Sequence, residues 1–168
     1  RKKEIKSVAK KIGFDHVYHL PYPAIELDRI PMSELVGSFS KIFKEFEPEE
    51  LFLPHRGDSH SDHRVVFDAT AACTKWFRYP SIKSVLAYET ASETEFGLSK
   101  EMLFKPNYFI DISDYLNTKL EILKIYESEI GEHPFPRSID SLEALAKWRG
   151  SNSGYKAAEA FELLYNRN

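Results

Sequence analysis

The sequence predicts an α/β domain with a mainly parallel sheet, because short apolar segments alternate with amphipathic helical ones. The segments Glu50–Leu53 and Val85–Glu89 are short and apolar, which is typical of buried strands. Between them, a dense polar turn leads into a helix that begins near Arg64. In an open α/β sheet, ligands bind at such strand-to-helix turns. The fold class therefore also predicts where a functional site should lie.

The composition is that of a globular protein without an obvious charged or membrane partner. The chain has 168 residues, of which 42% are hydrophobic, and a net charge of −3. It has enough residues for one domain with a real core, and the charge gives no general attraction to nucleic acid. No apolar stretch approaches the roughly 18 residues of a membrane span. The single cysteine, Cys73, excludes an internal disulfide and fits a cytoplasmic location.

The N-terminal half contains three segments of regular structure before the central turn. Apolar residues at helical spacing predict a helix over 3–12, ended by Gly13. Residues 15–20 predict a short strand on which His16 and His19 point to opposite faces, which disfavours a shared metal. Two prolines make 21–31 a loop, and a helix beginning near Ser33 is ended by Pro48.

The C-terminal half continues the alternation. We expect the helix after the central turn to continue to about Phe77, followed by the strand Val85–Glu89 and an irregular segment over 90–105. The remaining predictions are a strand over 108–111, a long helix from Ser113 or Asp114 to Gly131 and a helix around 142–148. The segment 158–165 fits both a helix and a strand, of which we favour the strand.

The central turn, residues 54–63, carries the residues most suited to chemistry. Its core is His60-Ser61-Asp62-His63, and His55 and Asp58 precede it. Imidazole is the commonest protein metal ligand, and a neighbouring carboxylate fixes its tautomer. The turn therefore predicts a metal or acid–base site. The alternative is a polar helix cap with solvated histidines. Glu89, at the end of its strand, faces either a pocket or a surface ion pair.

Several segments beyond this turn resemble one family, the PIG-L and LmbE family of zinc-dependent N-acetylglucosamine deacetylases. The His-x-Asp-His core is the first of them, and the N-terminal helix ending at Gly13 is the second. The others are similar to known family segments and follow in the same order: Tyr88-Glu89, Phe109-Ile110-Asp111-Ile112-Ser113 with Lys119, and Ala158-Glu159-Ala160-Phe161. Together they cover nearly the whole chain.

The resemblance implies a Rossmann-like, three-layer fold and a role for each residue of the turn. His63 would be the third protein ligand of a zinc or another divalent metal. His60 would stabilise the oxyanion or protonate the leaving amine, and Asp62 would orient His60. We assign substrate binding to Arg56, Asp58 and Glu89. The family's His-Pro-Asp-Asp segment, which supplies two ligands and the general base, is absent, so residues 1–168 are expected to be one N-terminally truncated deacetylase domain.

The implied function is removal of an N-acetyl group from an N-acetylated amino sugar by zinc-activated water. The implied partner is that sugar, with no nucleic acid and no membrane span, and homo-oligomerisation stays open. One alternative is a catalytically inactive relative that acts as a binding or scaffolding subunit. Another is a metallo-β-lactamase-like hydrolase, but Asp58 occupies the first histidine position of that pattern and only His133 lies downstream.

Overall fold

The computed structural model describes residues 1–167 and contains five helices and four strands within them. In chain order these are α1 (Lys2–Ile12), α2 (Met32–Phe46), β1 (Glu50–Pro54), α3 (Ser61–Ala71), β2 (Ser84–Tyr88), β3 (Tyr108–Asp111), α4 (Leu116–Leu123), α5 (Ile139–Ser151) and β4 (Ala158–Asn166). A short 3₁₀ turn spans Leu27–Arg29. The chain divides into two compact units: Arg1–His19 with Phe109–Ala160, and Leu20–Tyr108 with the chain from Phe161 onward.

The second unit contains the strands that position the candidate site. β1 and β2 are parallel, with Leu51 opposite Val85 and Pro54 opposite Tyr88. β4 lies on the other side of β2 and runs antiparallel to it. Because β1 and β2 are parallel, their carboxyl ends meet at one edge of the sheet. The loops that follow both strands therefore start close together.

The core of the second unit packs α2 and α3 against these strands. β1 alternates between buried and exposed side chains, with Leu51 and Leu53 buried and Phe52 exposed. This alternation directs one face of the strand into a cluster that includes Cys73, Ile82 and Val85. Helix α2 contributes partly buried aromatic residues to the same cluster, so its apolar face is explained by burial rather than by ligand binding.

The first unit has a smaller core around β3, α4 and α5. Ile112, Ala146 and Ala157 are its buried residues, with Leu116 packed against them. The Ile112 N–H donates to the Ala157 carbonyl at 3.0 Å, which joins the end of β3 to the start of β4. Lys119 on α4 forms an ion pair with Glu159 on β4 at 2.6 Å, so two residues of the family-like segments stabilise this unit.

The α/β class and most predicted elements are confirmed. α1 ends at Gly13, whose φ of 86° is left-handed, as a glycine at this helix end allows. The predicted irregular segments 21–31 and 90–105 contain no α-helix or strand. The ambiguous C-terminal segment forms the strand β4, as predicted.

The predicted strand over 15–20 is wrong. These residues form no strand, and Val17 and Tyr18 are 54% and 40% exposed. A strand needs a neighbour for its backbone groups, and the four strands in the described part of the chain pair without this segment. His16 and His19 are both exposed.

Two helices are shorter than predicted. α3 ends at Ala71 rather than near Phe77, since the Thr74 hydroxyl and N–H both donate to the Ala71 carbonyl. α4 ends at Leu123 rather than at Gly131. Beyond it, Arg1 and Arg137 both bind Glu129, so tertiary contacts override the helical periodicity there.

Candidate active site

The candidate site begins where β1 ends, in the turn that contains the sequence His55 to His60. The His55 N–H donates to the Tyr88 carbonyl at 3.0 Å, which ties the start of the turn to the end of β2. Gly57 has no room for a side chain, since a Cβ there would lie 2.3 Å from the Met102 carbonyl oxygen. The turn is thus pressed against the segment 90–105, which follows β2.

His63 is held by a buried carboxylate. Its Nδ1 lies 2.7 Å from Oδ2 of Asp58, whose side chain is fully buried. The other oxygen of Asp58 accepts a hydrogen bond from the Thr94 hydroxyl at 2.6 Å. An ionised aspartate only accepts, so His63 carries its proton on Nδ1 and presents a lone pair at Nε2. This is the arrangement that orients a histidine for metal binding.

His60 lies beside His63 and caps helix α3. The two rings are stacked with centroids 4.9 Å apart. The Asp62 N–H donates to His60 Nδ1 at 3.2 Å, so Nδ1 is an acceptor and a neutral ring carries its proton on Nε2. A proton on Nδ1 would place two donors against each other. His60 therefore offers a single N–H donor, from Nε2.

The Asp62 side chain binds other partners than the ring of His60, which Asp62 is expected to orient, and that role stays a prediction. Its carboxylate is buried and accepts from the backbone N–H groups of Ile25, at 2.6 Å, and Leu27, at 3.2 Å. The first turn of α3 thus places this carboxylate against the loop 21–31. Asp62 thus holds that loop against the helix, while only its backbone reaches His60.

The predicted substrate-binding residues occupy different environments. The Arg56 guanidinium donates twice to Asp68, at 2.7 and 3.3 Å, and this partner raises the pKa of the arginine. Asp58 is committed to His63 and Thr94 rather than open to a ligand. Glu89 is half-buried, directly after β2. Their assignment to substrate binding stays a prediction, with Asp58 placed to act through His63.

The sequence analysis assigned no role to three residues at this edge of the sheet. Thr94 lies in a polar segment without periodicity, so no sequence signal identifies its contact with Asp58. His55 is buried, and its ring nitrogens lie 3.1 Å from the Glu162 carboxylate and 3.0 Å from the Met102 carbonyl oxygen. Loss of hydration and the charge of Asp58 together raise the pKa of the Tyr88 hydroxyl, which therefore stays a donor at neutral pH.

These residues can supply one ligand to a metal ion, but they do not form a complete metal site. His63 Nε2 has the free lone pair and the carboxylate support that a ligand needs. Across residues 1–167, however, no group of three or more His, Cys, Asp or Glu side chains is arranged to hold a metal ion. A catalytic zinc takes three protein ligands, which is more than this turn alone supplies.

The fold and this turn define a Rossmann-like α/β domain with a histidine- and aspartate-bearing site at the carboxyl ends of parallel strands. Residues 1–74 match the family model described as PIG-L: GlcNAc-PI de-N-acetylase. The matched range includes His60, Asp62 and His63. The resemblance to the PIG-L and LmbE family is thereby confirmed.

A curated relative supports the same resemblance over part of the chain. Diacetylchitobiose deacetylase of Thermococcus kodakarensis is 35% identical over 60 residues, which are 36% of this chain and 22% of that protein. The match thus spans less than a quarter of the length of that relative.

Solved structures share the fold at low sequence identity. N,N′-diacetylchitobiose deacetylase from Pyrococcus horikoshii has a TM-score of 0.74 at 22% identity, over 98% of this chain and 62% of that chain. The 4-carboxy-2-hydroxymuconate hydratase GalB from Pseudomonas putida KT2440 has a TM-score of 0.67 at 16% identity, over 99% and 72%. A zinc-inhibited form of teicoplanin deacetylase Orf2 has a TM-score of 0.61 at 16% identity, over 96% and 73%.

None of the helices within residues 1–167 is both long and apolar enough to cross a membrane.

Proposed function

We propose that this chain carries part of the active site of a metal-dependent hydrolase that removes an N-acetyl group from an N-acetylated amino sugar. The observation that carries the proposal is His63, bound at Nδ1 by the buried Asp58 and open at Nε2, beside the donor His60. The family match includes this turn, and the curated relative is named as a diacetylchitobiose deacetylase. The GalB match shows that the fold alone does not determine the reaction.

The chain's own residues supply two of the functions that amide hydrolysis needs. His63 would hold the metal, zinc or another divalent ion, through Nε2. A bound zinc would supply Lewis-acid polarisation at the amide and its attacking water. His60 Nε2–H would donate a hydrogen bond to the oxygen that gains negative charge as the amide carbon becomes tetrahedral. We propose that the other ligands and the general base come from the His-Pro-Asp-Asp segment that the family resemblance implies.

A second candidate is a metal-free binding or scaffolding module of the same fold. It is favoured by one observation, that residues 1–167 contain no group of three metal-binding side chains. The two candidates differ in whether the native full-length protein retains a metal. Zinc content after dialysis, measured by mass spectrometry, distinguishes them directly.

The deacetylase proposal is tested by acetate release from N,N′-diacetylchitobiose. We expect the 168-residue chain to retain much less than one zinc and to release no acetate, and the native full-length protein to do both. In the full-length protein, His63→Ala should abolish zinc retention and activity together. His60→Ala should retain zinc and lower turnover by about 100- to 1,000-fold, as expected for loss of an oxyanion donor.

The exposed His19→Ala is the matched control, because it removes a histidine that lies outside the turn. It should change neither zinc content nor turnover. Stoichiometric zinc in the 168-residue chain would contradict the incomplete site. Loss of zinc in His60→Ala would reverse the two histidine roles.

A further inference from the structure

Thr94 is the one hydroxyl that the described structure places on the carboxylate of Asp58. Its Oγ1 accepts a hydrogen bond from the Thr90 N–H at 2.7 Å and donates to Asp58 Oδ1 at 2.6 Å. The backbone donor directs the hydroxyl proton away from Thr90 and toward Asp58. A chain of hydrogen bonds thus connects the Thr90 backbone, through Thr94 and Asp58, to the ring of His63.

The proton positions along this chain of hydrogen bonds follow from the chemistry of each group. The single proton of the Thr94 hydroxyl is committed to Asp58, because a backbone N–H already approaches its oxygen. Asp58 is fully buried, so water does not replace a lost donor without rearrangement. The Thr94 hydroxyl thus fixes the orientation of the carboxylate, whose second oxygen lies 2.7 Å from His63 Nδ1 and accepts the proton on that nitrogen. The lone pair of a neutral His63 is left on Nε2.

We propose that Thr94 is a positioning residue that holds His63, through Asp58, in the tautomer whose Nε2 is free to bind a metal. The proposal deepens the proposed function, since it takes Nε2 of His63 as the ligand atom. It also gives a defined role to the segment after β2, which the sequence analysis described only as irregular and polar.

The surrounding contacts keep Thr94 in place. Ser59, next to Asp58, donates through its N–H to the Glu93 carbonyl at 3.1 Å and through its hydroxyl to the Glu93 carboxylate at 2.7 Å. Gly97 approaches the turn so closely that a Cβ there would lie 1.9 Å from the Gly57 carbonyl oxygen. Thr94 is therefore fixed between two points at which its segment contacts the turn.

The tautomer of His63 can be read directly from the ¹⁵N shifts of its ring nitrogens in the 168-residue chain. In the neutral ring we expect a protonated Nδ1, facing Asp58 Oδ2, and a bare Nε2. His63→Gln assigns the signals among the six histidines. Thr94→Val keeps the shape of the side chain and removes the hydroxyl. In this variant the ratio of the Nδ1-protonated to the Nε2-protonated tautomer of His63 should fall about fivefold, the effect of one ordinary hydrogen bond.

Two variants control for a merely structural effect. Thr94→Ser keeps the hydroxyl and should restore the wild-type ratio. Thr90→Val removes a hydroxyl that is buried and has no hydrogen-bond partner within residues 1–167, so it should leave the ratio unchanged. The backbone amide spectrum of each variant should show the same dispersion as that of the wild type, which verifies that the variant is folded. A wild-type ratio in Thr94→Val, or an equal fall in Thr90→Val, would overturn the proposal.

The outcome separates this inference from the proposed function. If Thr94→Val shifts the ratio but the full-length protein retains no zinc and releases no acetate, the chain of hydrogen bonds stands and the hydrolase proposal fails. If the full-length protein is an active zinc enzyme and the ratio in Thr94→Val is that of the wild type, the hydrolase stands and the role of Thr94 is lost.

Discussion

Replacing Asp62 with alanine should free the loop 21–31 and destabilise the second unit, rather than change the ring of His60. The Asp62 carboxylate is 8% exposed and binds the N–H groups of Ile25 and Leu27. Alanine leaves both donors without their acceptor. The loop contains no α-helix or strand, so it has few other backbone contacts with which to compensate.

The magnitude follows from these two hydrogen bonds and from the backbone of Ile25. A buried donor that loses its acceptor costs about 1–3 kcal/mol, and partial access of water at this loop favours the lower end, about 2–3 kcal/mol for the pair. Ile25 has a φ of 67°, a left-handed conformation that costs a β-branched residue about 1 kcal/mol. Release of the loop recovers that strain. The expected net loss is therefore about 1–2 kcal/mol.

Urea unfolding and amide hydrogen exchange measure this loss globally and locally. With a slope of about 2 kcal/mol per molar, typical for a chain of this size, the urea midpoint should fall by about 0.5–1 M. The N–H groups of Ile25 and Leu27 should lose their protection from exchange. Asp28→Ala, an exposed aspartate of the same loop, is the control and should change the free energy of unfolding by less than about 0.5 kcal/mol. Wild-type protection of both amides in Asp62→Ala would refute the reasoning.

Two further predictions concern Ile25 and Tyr88. Ile25→Gly should stabilise the chain by up to about 0.5 kcal/mol in urea unfolding, because relief of the left-handed strain of about 1 kcal/mol exceeds the entropic cost of glycine, and a loss of stability would contradict the strain. The pKa of Tyr88 is raised in the folded state by loss of hydration and by Asp58, so its contribution to stability is present below the ordinary tyrosine pKa of about 10 and is lost above it. Tyr88→Phe should therefore lose less stability than wild type between about pH 9.5 and 11, and identical alkaline unfolding curves would refute it.

Sequence periodicity predicted an element well where its apolar face is buried in the structure and a nearby residue in the sequence marks its end. α2 has both an apolar face and an ending at Pro48, and it forms as Met32–Phe46. α4 shows the limit of the same reasoning. Its leucines continue the helical spacing toward Ile130, but contacts of Glu129 with Arg1 and Arg137 end the helix early. Arg1 is the first residue of the chain, and Arg137 lies 8 residues after Glu129. Neither contact can be read from the helical spacing of apolar residues.

The candidate site divides in the same way. The strand-to-helix turn, and the neighbouring positions of His60 and His63 within it, follow from short-range sequence. The partners of the two aspartates do not. Asp62 lies next to both histidines in sequence, yet its carboxylate binds a loop 35 to 37 residues earlier, while Asp58 binds His63 and a threonine 36 residues later. Sequence adjacency does not identify these partners, because side-chain direction in a helical first turn depends on the tertiary fold.

The ion pair of the buried His55 with the half-buried Glu162 gives a last prediction, in which loss of the charge alone is milder than loss of the whole polar side chain. Glu162 accepts the Lys105 N–H at 2.5 Å with one oxygen and faces His55 Nδ1 at 3.1 Å with the other, while His55 Nε2 faces the Met102 carbonyl oxygen. In Glu162→Gln, the amide oxygen still accepts from Lys105, and the amide N–H₂ donates to Nδ1 of a neutral ring that donates from Nε2.

Every polar atom of that neutral network keeps a partner, so Glu162→Gln should change the free energy of unfolding by less than about 1 kcal/mol. Glu162→Ala removes the acceptor of Lys105 and the partner of a buried ring, and should cost about 2–4 kcal/mol. The exposed Glu101→Gln serves as the control for loss of one negative charge. Urea unfolding at neutral pH compares the three variants. Equal losses in the glutamine and alanine variants would show that the charge of Glu162, and not its hydrogen-bonding geometry, holds the segment 102–105 against His55.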